Sequence, residues 1–282
     1  FGIPFTLSTM GTASVEEVAA LEPAGRRWFQ LYLWTNREQS LGLVHRARDA
    51  GYDTLVVTVD VPVAGARLRD KRNGMSIPPA LTVKTILNAL PRPEWWINFL
   101  TTPPLEFASL NSWGGTVGEL IDKMFDPTVT FADLKWIRSE WPGKLVIKGI
   151  QSIDDAKELV GYGVDGIVLS NHGGRQLDSA PAAIDLLPII RRAVGPSYPL
   201  LFDSGVRNGD DIVKAIALGA DFVMIGRPVL YALGAAGGAG LQSLLQCFAQ
   251  DIDLTMAQIG IARIEDIDTR TLFSAVPQAA SG

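Results

Sequence analysis

Gly163-Val-Asp165-Gly166-Ile-Val-Leu-Ser170 is the stretch on which the fold reading turns. A glycine closes one element, an aspartate follows, and an apolar run then ends on a hydroxyl. The same order recurs where Gly51-Tyr-Asp53 leads into Thr54-Leu-Val-Val-Thr58, and where Gly219-Ala-Asp221 leads into Phe222-Val-Met-Ile-Gly226. Glycine just past a helix supplies the left-handed cap, so each repeat reads as helix, glycine stop, strand. Apolar runs without polar alternation are strands covered on both faces, as a parallel sheet flanked by helices requires.

Further strands fit the series on either side. Phe5-Thr-Leu7 ends at Ser8-Thr9, and Trp28 to Leu33 follows. Lys144 to Lys148 and Pro199 to Asp203 complete the set. Between them lie helix starts: a capping box at Ser14-Val-Glu-Glu17, Thr35 or Asn36 before a helix to about Ala50, and Ser152 before Asp155. Seven strand-then-helix units can be counted. The fold class expected is α/β, a (β/α)₈ TIM-type barrel lacking its first strand unit. The doubly wound sheet is the alternative, but its G-x-G-x-x-G fingerprint is absent. Residues 1–282 read as a single barrel domain, truncated at its N-terminus, since the chain opens at Phe1 without Met. Such a truncated barrel would have unpaired apolar strand edges and would self-associate.

Polar residues gather just beyond the strand ends, the catalytic face of such barrels. They are Ser8, Gln30, Tyr32, Thr58, Asp60, Lys148, Ser170, His172, Asp203, Gly226 and Arg227. The richest group is Ser170-Asn-His172-Gly-Gly-Arg175-Gln-Leu-Asp178. Two glycines release the backbone into a tight loop that presents an imidazole and a guanidinium three residues apart. His172 is a candidate base near neutral pH, and Arg175 offers a planar fork for a carboxylate. A solvated loop that happens to hold a histidine is the plainer alternative. Asp203-Ser-Gly-Val-Arg207-Asn-Gly209 and Ile225-Gly-Arg-Pro228 are turns of the kind that cradle a phosphate after the last barrel strands. Two ordinary tight turns would look the same. Lys148 ends a buried strand, where it needs an anion, whether a reduced cofactor or a neighbouring carboxylate.

The run SNHGGRQLD closely resembles the signature loop of the FMN-dependent L-2-hydroxy acid oxidases and dehydrogenases. Further matches run from Phe1 to about Leu272, and GARLRDKRNGMSIPPALT looks most like the L-lactate dehydrogenase branch. The resemblance implies FMN as cofactor and a small L-2-hydroxy acid, L-lactate first, as substrate. It implies His172 as catalytic base with Asp60 as its hydrogen-bonded support. Arg175, Tyr32 and Arg67 would bind substrate. Ser8, Gln30, Thr58, Lys148 and Ser170 would face the flavin ring. Asp203, Ser204, Gly205, Arg207, Gly226 and Arg227 would hold its phosphate and ribityl chain; Ser204 stands where many relatives have Gly. A quinone, a cytochrome or O₂ would reoxidise the flavin, in a homo-oligomer, a tetramer in the family. The rival readings are another FMN barrel enzyme, such as a type 2 isopentenyl-diphosphate isomerase, and a non-catalytic flavin-binding scaffold. Arg175 beside His172 argues against the first, and the set His172, Asp60 and Lys148 against the second.

Residues 61–130 form an insertion far longer than an ordinary loop. It holds the basic cluster Arg67, Arg69, Lys71 and Arg72, then Pro78-Pro79, a helical stretch from Val83 to Leu90, and Pro91 to Leu100 with Trp95-Trp96. Paired tryptophans beside leucines read as an interfacial membrane anchor, or as a lid or subunit contact that buries the same rings. The expected location is cytoplasmic, peripheral at the inner face of the cell membrane. No apolar run of transmembrane length is evident. A net charge of −5 predicts no nucleic-acid partner. Cys247 lies in an apolar run and is expected to be buried. His45 falls within a helix and reads as a surface or packing residue. No Cys/His cluster is present, so a metal is not expected.

Overall fold

The computed structural model describes residues 1–74, 82–102, 107–108 and 124–273, so Pro78-Pro79 lie outside the described residues. The chain divides into two compact units, Gly2–Lys144 and Leu145–Gly282 with Phe1.

In the first unit the strands β1 (Phe5–Ser8), β2 (Arg27–Tyr32) and β3 (Thr54–Thr58) pair in parallel, each with the next. Helices α1 (Val15–Leu21) and α2 (Arg37–Asp49) connect them. The capping box at Ser14 and Glu17 forms as the sequence predicts, and Asn36 caps α2. Every residue of β3 is buried. The face of α2 that covers the strands carries Ser40, Leu43, Val44 and Ala47, whereas Leu41 is only half-buried. The Tyr52 hydroxyl donates to the Val15 carbonyl, and burial pushes its pKa up to about 12.

After β3 come α3 (Leu68–Arg72), α4 (Val83–Ala89), α5 (Pro93–Thr101) and α6 (Phe131–Glu140). Neither α4 nor α5 buries a side chain. Val83, Ile86, Leu87 and Leu90 are exposed, as are Trp95, Trp96, Ile97, Phe99 and Leu100. Trp95 and Phe99 stack, one helical turn apart, at 5.5 Å. The way back into the unit is fixed by Arg37. Its guanidinium meets Asp126 at 2.6 Å and Asp133 at 2.9 Å. Burial opposes ionisation of Asp126, but hydrogen bonds from Thr128 and the Arg37 guanidinium outweigh it and hold the carboxyl below its ordinary value. Asp133 is lowered in the same way, by the Thr130 amide and Arg37 against burial. His45 sits 3.5 Å from Glu140, both partly exposed, as expected of a surface residue.

The second unit carries β4 (Lys144–Ile150), β5 (Gly166–Leu169), β6 (Leu200–Phe202) and β7 (Phe222–Val223), again paired in parallel in chain order. Between them run α7 (Ile153–Val160), α8 (Ala183–Val194) and α9 (Gly209–Ala217), and α10 (Arg227–Gln258) follows β7. The repeat read from the sequence is real in both units: Gly51, Gly163 and Gly219 have φ of +76°, +69° and +108°. Register slips between Lys148 and Ile150, where Gly149 is extra on β4 with φ +106°. A bulge of this kind bends a strand and re-aims the side chains beside it.

Two expectations fail in α10. Cys247 is exposed. Its neighbour Phe248 is the buried one, and one residue along a helix turns the side chain by about 100°. The helix is also long and apolar enough, by length and composition, to cross a membrane, although no such run was evident from the sequence. Its backbone leaves helical geometry at Ala236 and Gly237, so the apolar length is split. Its second half packs on α9, where Gly209 touches it so closely that a Cβ there would lie 2.6 Å from the Ile252 nitrogen.

Candidate active site

In the first unit, register alone assembles a polar ladder. Parallel pairing sets Ser8 opposite Gln30 and Tyr32 opposite Thr58. The Ser8 hydroxyl donates to Gln30 Oε1 at 3.0 Å, and Gln30 Nε2 donates to Thr58 Oγ1 at 2.9 Å. Gln30 and Thr58 are buried. Thr9, which the sequence reading passed over, completes the set. Its hydroxyl donates to the Gln30 carbonyl at 2.6 Å and accepts the Tyr32 amide at 3.3 Å. A second hydroxyl residue immediately after Ser8 was the available signal. Tyr32 meets Phe125 edge-on at 5.5 Å. Asp60 stands half-buried just past β3. Arg67 stands at the start of α3 with φ +43°.

In the second unit the candidates converge beyond β4, β5 and β6. Lys148 Nζ donates to Ser170 Oγ at 2.9 Å and lies 3.4 Å from Asp203 Oδ2. The ammonium is thus met by a neighbouring carboxylate, one of the two anions anticipated. Such a pair adds little net stability, but removing one partner leaves a costly buried charge. The chain then enters a short 3₁₀ turn, His172–Gly174. His172, Gly173 and Gly174 all have positive φ, of +55°, +67° and +71°. Four successive amides are satisfied by side chains. Asn171 and Gly173 donate to Ser204 Oγ at 3.2 and 3.0 Å, and His172 donates to Ser170 Oγ at 3.0 Å. Asn171 Oδ1 accepts the Gly174 amide at 3.0 Å. The loop leaves His172 and Gly173 partly covered and Arg175 exposed.

A cavity of about 430 Å³ lies against this loop, lined by Gly173, Ser204, Gly205, Lys214 and Arg227 among others. The Arg227 guanidinium covers Gly173 so closely that a Cβ there would lie 3.1 Å from Nη2. Gly205 and Gly226 leave open space where a side chain would stand. Arg207 is exposed, and its amide donates to Asp211 at 3.0 Å. A cavity of a few hundred Å³ with guanidinium and ammonium groups, bare glycine backbone and the start of α9 suits an organic phosphate.

A family model described as FMN-dependent dehydrogenase matches residues 1–274. The chain belongs to the FMN-dependent dehydrogenase family. It is 55% identical over 269 residues to a putative L-lactate dehydrogenase of Mycobacterium tuberculosis (strain ATCC 25618 / H37Rv), covering 95% of this chain and 65% of that protein. It is 45% identical over 280 residues to an L-lactate dehydrogenase of Serratia proteamaculans (strain 568), covering 96% of this chain and 73% of that one. Among solved structures, a monotopic membrane protein, (S)-mandelate dehydrogenase, superposes with a TM-score of 0.87 at 39% identity. That match covers 96% of this chain and 73% of that one. The chain therefore spans about two thirds to three quarters of the length of these relatives. Family membership indicates FMN as the cofactor, and the residues around the cavity fit its phosphate end. The fold class is the (β/α)₈ type of this family, as the strand–helix repeat predicts.

Proposed function

We propose that the protein oxidises a small L-2-hydroxy acid, L-lactate first, to the 2-oxo acid. The observation that carries this reading is the His172 loop: an imidazole at a strand end, on a backbone whose successive amides are all tied down. The names of the relatives support the substrate class. FMN, when bound, supplies the two-electron acceptor. The protein's own residues do the rest. Arg175, three residues from His172, holds the substrate carboxylate through its planar fork. His172 accepts the proton released as the hydroxy acid is oxidised. Lys148 offers positive charge where negative charge develops beside the end of β4. Asp60, Tyr32 and Arg67 take the supporting and substrate-binding roles that the resemblance implies. Ser8, Gln30, Thr58 and Ser170 offer hydroxyls and an amide to the flavin ring, and Asp203, Gly205, Arg207, Gly226 and Arg227 serve its phosphate arm. Anaerobic mixing with L-lactate tests the reading: the flavin absorbance should bleach. A flavin that stays oxidised with L-lactate, glycolate and mandelate alike would sink it.

The same reading places the protein at a membrane surface through α4 and α5. Their exposed Leu, Ile, Phe and Trp side chains, and the monotopic membrane relative, support this. Deleting Pro91 to Leu100 should release the protein from lipid vesicles while flavin reduction continues. An intact protein that never sediments with vesicles would make these helices a lid or a subunit contact.

A further inference from the structure

Ser204 occupies a backbone position made for glycine. Its φ is +85°, which L side chains rarely adopt, and nothing about the turn itself requires a side chain there. The hydroxyl is nevertheless fully used. It accepts the amides of Asn171 and Gly173 and donates to Asp203 Oδ1 at 2.8 Å. A serine hydroxyl has one donor and two acceptor sites, and here all three are filled within the protein. Asp203 is held in turn, its other oxygen lying 3.4 Å from Lys148. The two amides that Ser204 accepts flank His172. Asn171 (φ −109°, ψ +26°) is followed by left-handed His172 (φ +55°), and this change of hand turns the amides of residues 171–173 to one side, a nest of the kind that binds anions. Here a hydroxyl from the neighbouring strand end fills it.

We propose that Ser204 is a positioning residue for the base. Its hydroxyl clamps the backbone on both sides of His172 and so sets the direction of the imidazole. Ser204 lines the cavity, but its hydroxyl is committed to the loop and to Asp203, and the role rests on His172 being the base. Without the clamp, the amides of Asn171 and Gly173 lose their acceptor, and the left-handed run at residues 172–174 samples other turns. Misplacing a catalytic group by about 1 Å can cost a hundredfold in rate while binding is largely kept.

Two variants of the FMN-loaded protein separate this role from a merely structural one. Ser204→Gly removes the clamp and relieves the backbone, whereas Ser204→Ala removes the clamp and keeps the strain. Hydrogen exchange at the Asn171 and Gly173 amides should speed up on the order of tenfold in both. Flavin reduction at saturating L-lactate should slow tenfold or more in both, with KM changed by less than about threefold. Ser204→Gly relieves the left-handed strain that Ser204→Ala keeps, so a rate loss of the same size in both variants does not follow their difference in stability. Unchanged exchange at the two amides overturns the clamp. Faster exchange with parental reduction rates overturns the positioning role. His172→Gln, measured alongside, tests the base by itself. If it still reduces flavin, the base assignment falls and the positioning role with it, while the exchange data still decide whether the clamp exists.

Discussion

The ends of β1, β2 and β3 and the loop beyond β5 solve the same problem in different ways. Both present polar groups from buried strands. In the first, side chain binds side chain: Ser8 to Gln30 to Thr58, each step set by strand register. In the second, side chain binds backbone: Ser170 and Ser204 take the amides of residues 171–173. A ladder built on register is as rigid as the strands beneath it. A loop of left-handed residues is only as rigid as the acceptors brought to it. The ladder is therefore expected to govern stability and flavin affinity, and the loop to govern rate.

The largest expected effect tests the loop. His172→Gln should keep bound FMN and the parental melting behaviour but lose flavin reduction by a factor of about 10² to 10⁴, measured by anaerobic stopped flow. Reduction within about tenfold of the parent would move the chemistry elsewhere. Next comes the anchor of the first unit. Arg37→Ala strands Asp126, whose side chain is 3% exposed, and should lower unfolding free energy by about 2–3 kcal/mol at neutral pH. The folded pKa values of Asp126 and Asp133 are depressed, so the stability they contribute is present above the ordinary value of 3.8 and lost as pH falls through the folded values. The gap between parent and variant in urea titrations should therefore be full at pH 7 and shrink towards about pH 3. A gap independent of pH would mean that lost packing, not charge, explains the cost.

Gln30→Leu keeps the volume of the ladder and removes its amide. It should cost about 2 kcal/mol, because Ser8 and Thr58 lose a partner, and should weaken FMN binding more than it slows reduction of bound flavin. A variant with normal flavin affinity but slow reduction would erase the contrast between the two regions. The smallest effect is expected for Arg175→Lys. A point charge replaces a fork, so KM for L-lactate should rise about tenfold while FMN affinity holds. Unchanged kinetics would place the carboxylate on another residue.

Much of this protein could be read from the chain alone, because the signals were local. Gly51, Gly163 and Gly219 marked the helix stops, since a left-handed cap excludes most side chains. Unbroken apolar runs marked strands covered on both faces, and these set the fold class. Ser170, His172, Arg175 and Asp203 stood out because polar residues just past such strands have few structural reasons to be there. Tertiary structure decided what spacing cannot encode. Cys247 stands one residue off the helical stripe of Leu241, Leu244, Leu245 and Phe248, and the contact of α10 with α9 decided that this stripe is the covered side. The pairing of Lys148 with Asp203 and Ser170 needed the register of three strands and the bulge at Gly149. The task of Ser204 needed two loops, distant in sequence, to meet with their amides and hydroxyl aligned. A hydrogen bond depends on distance and angle in space, whereas the chain specifies only order along its length.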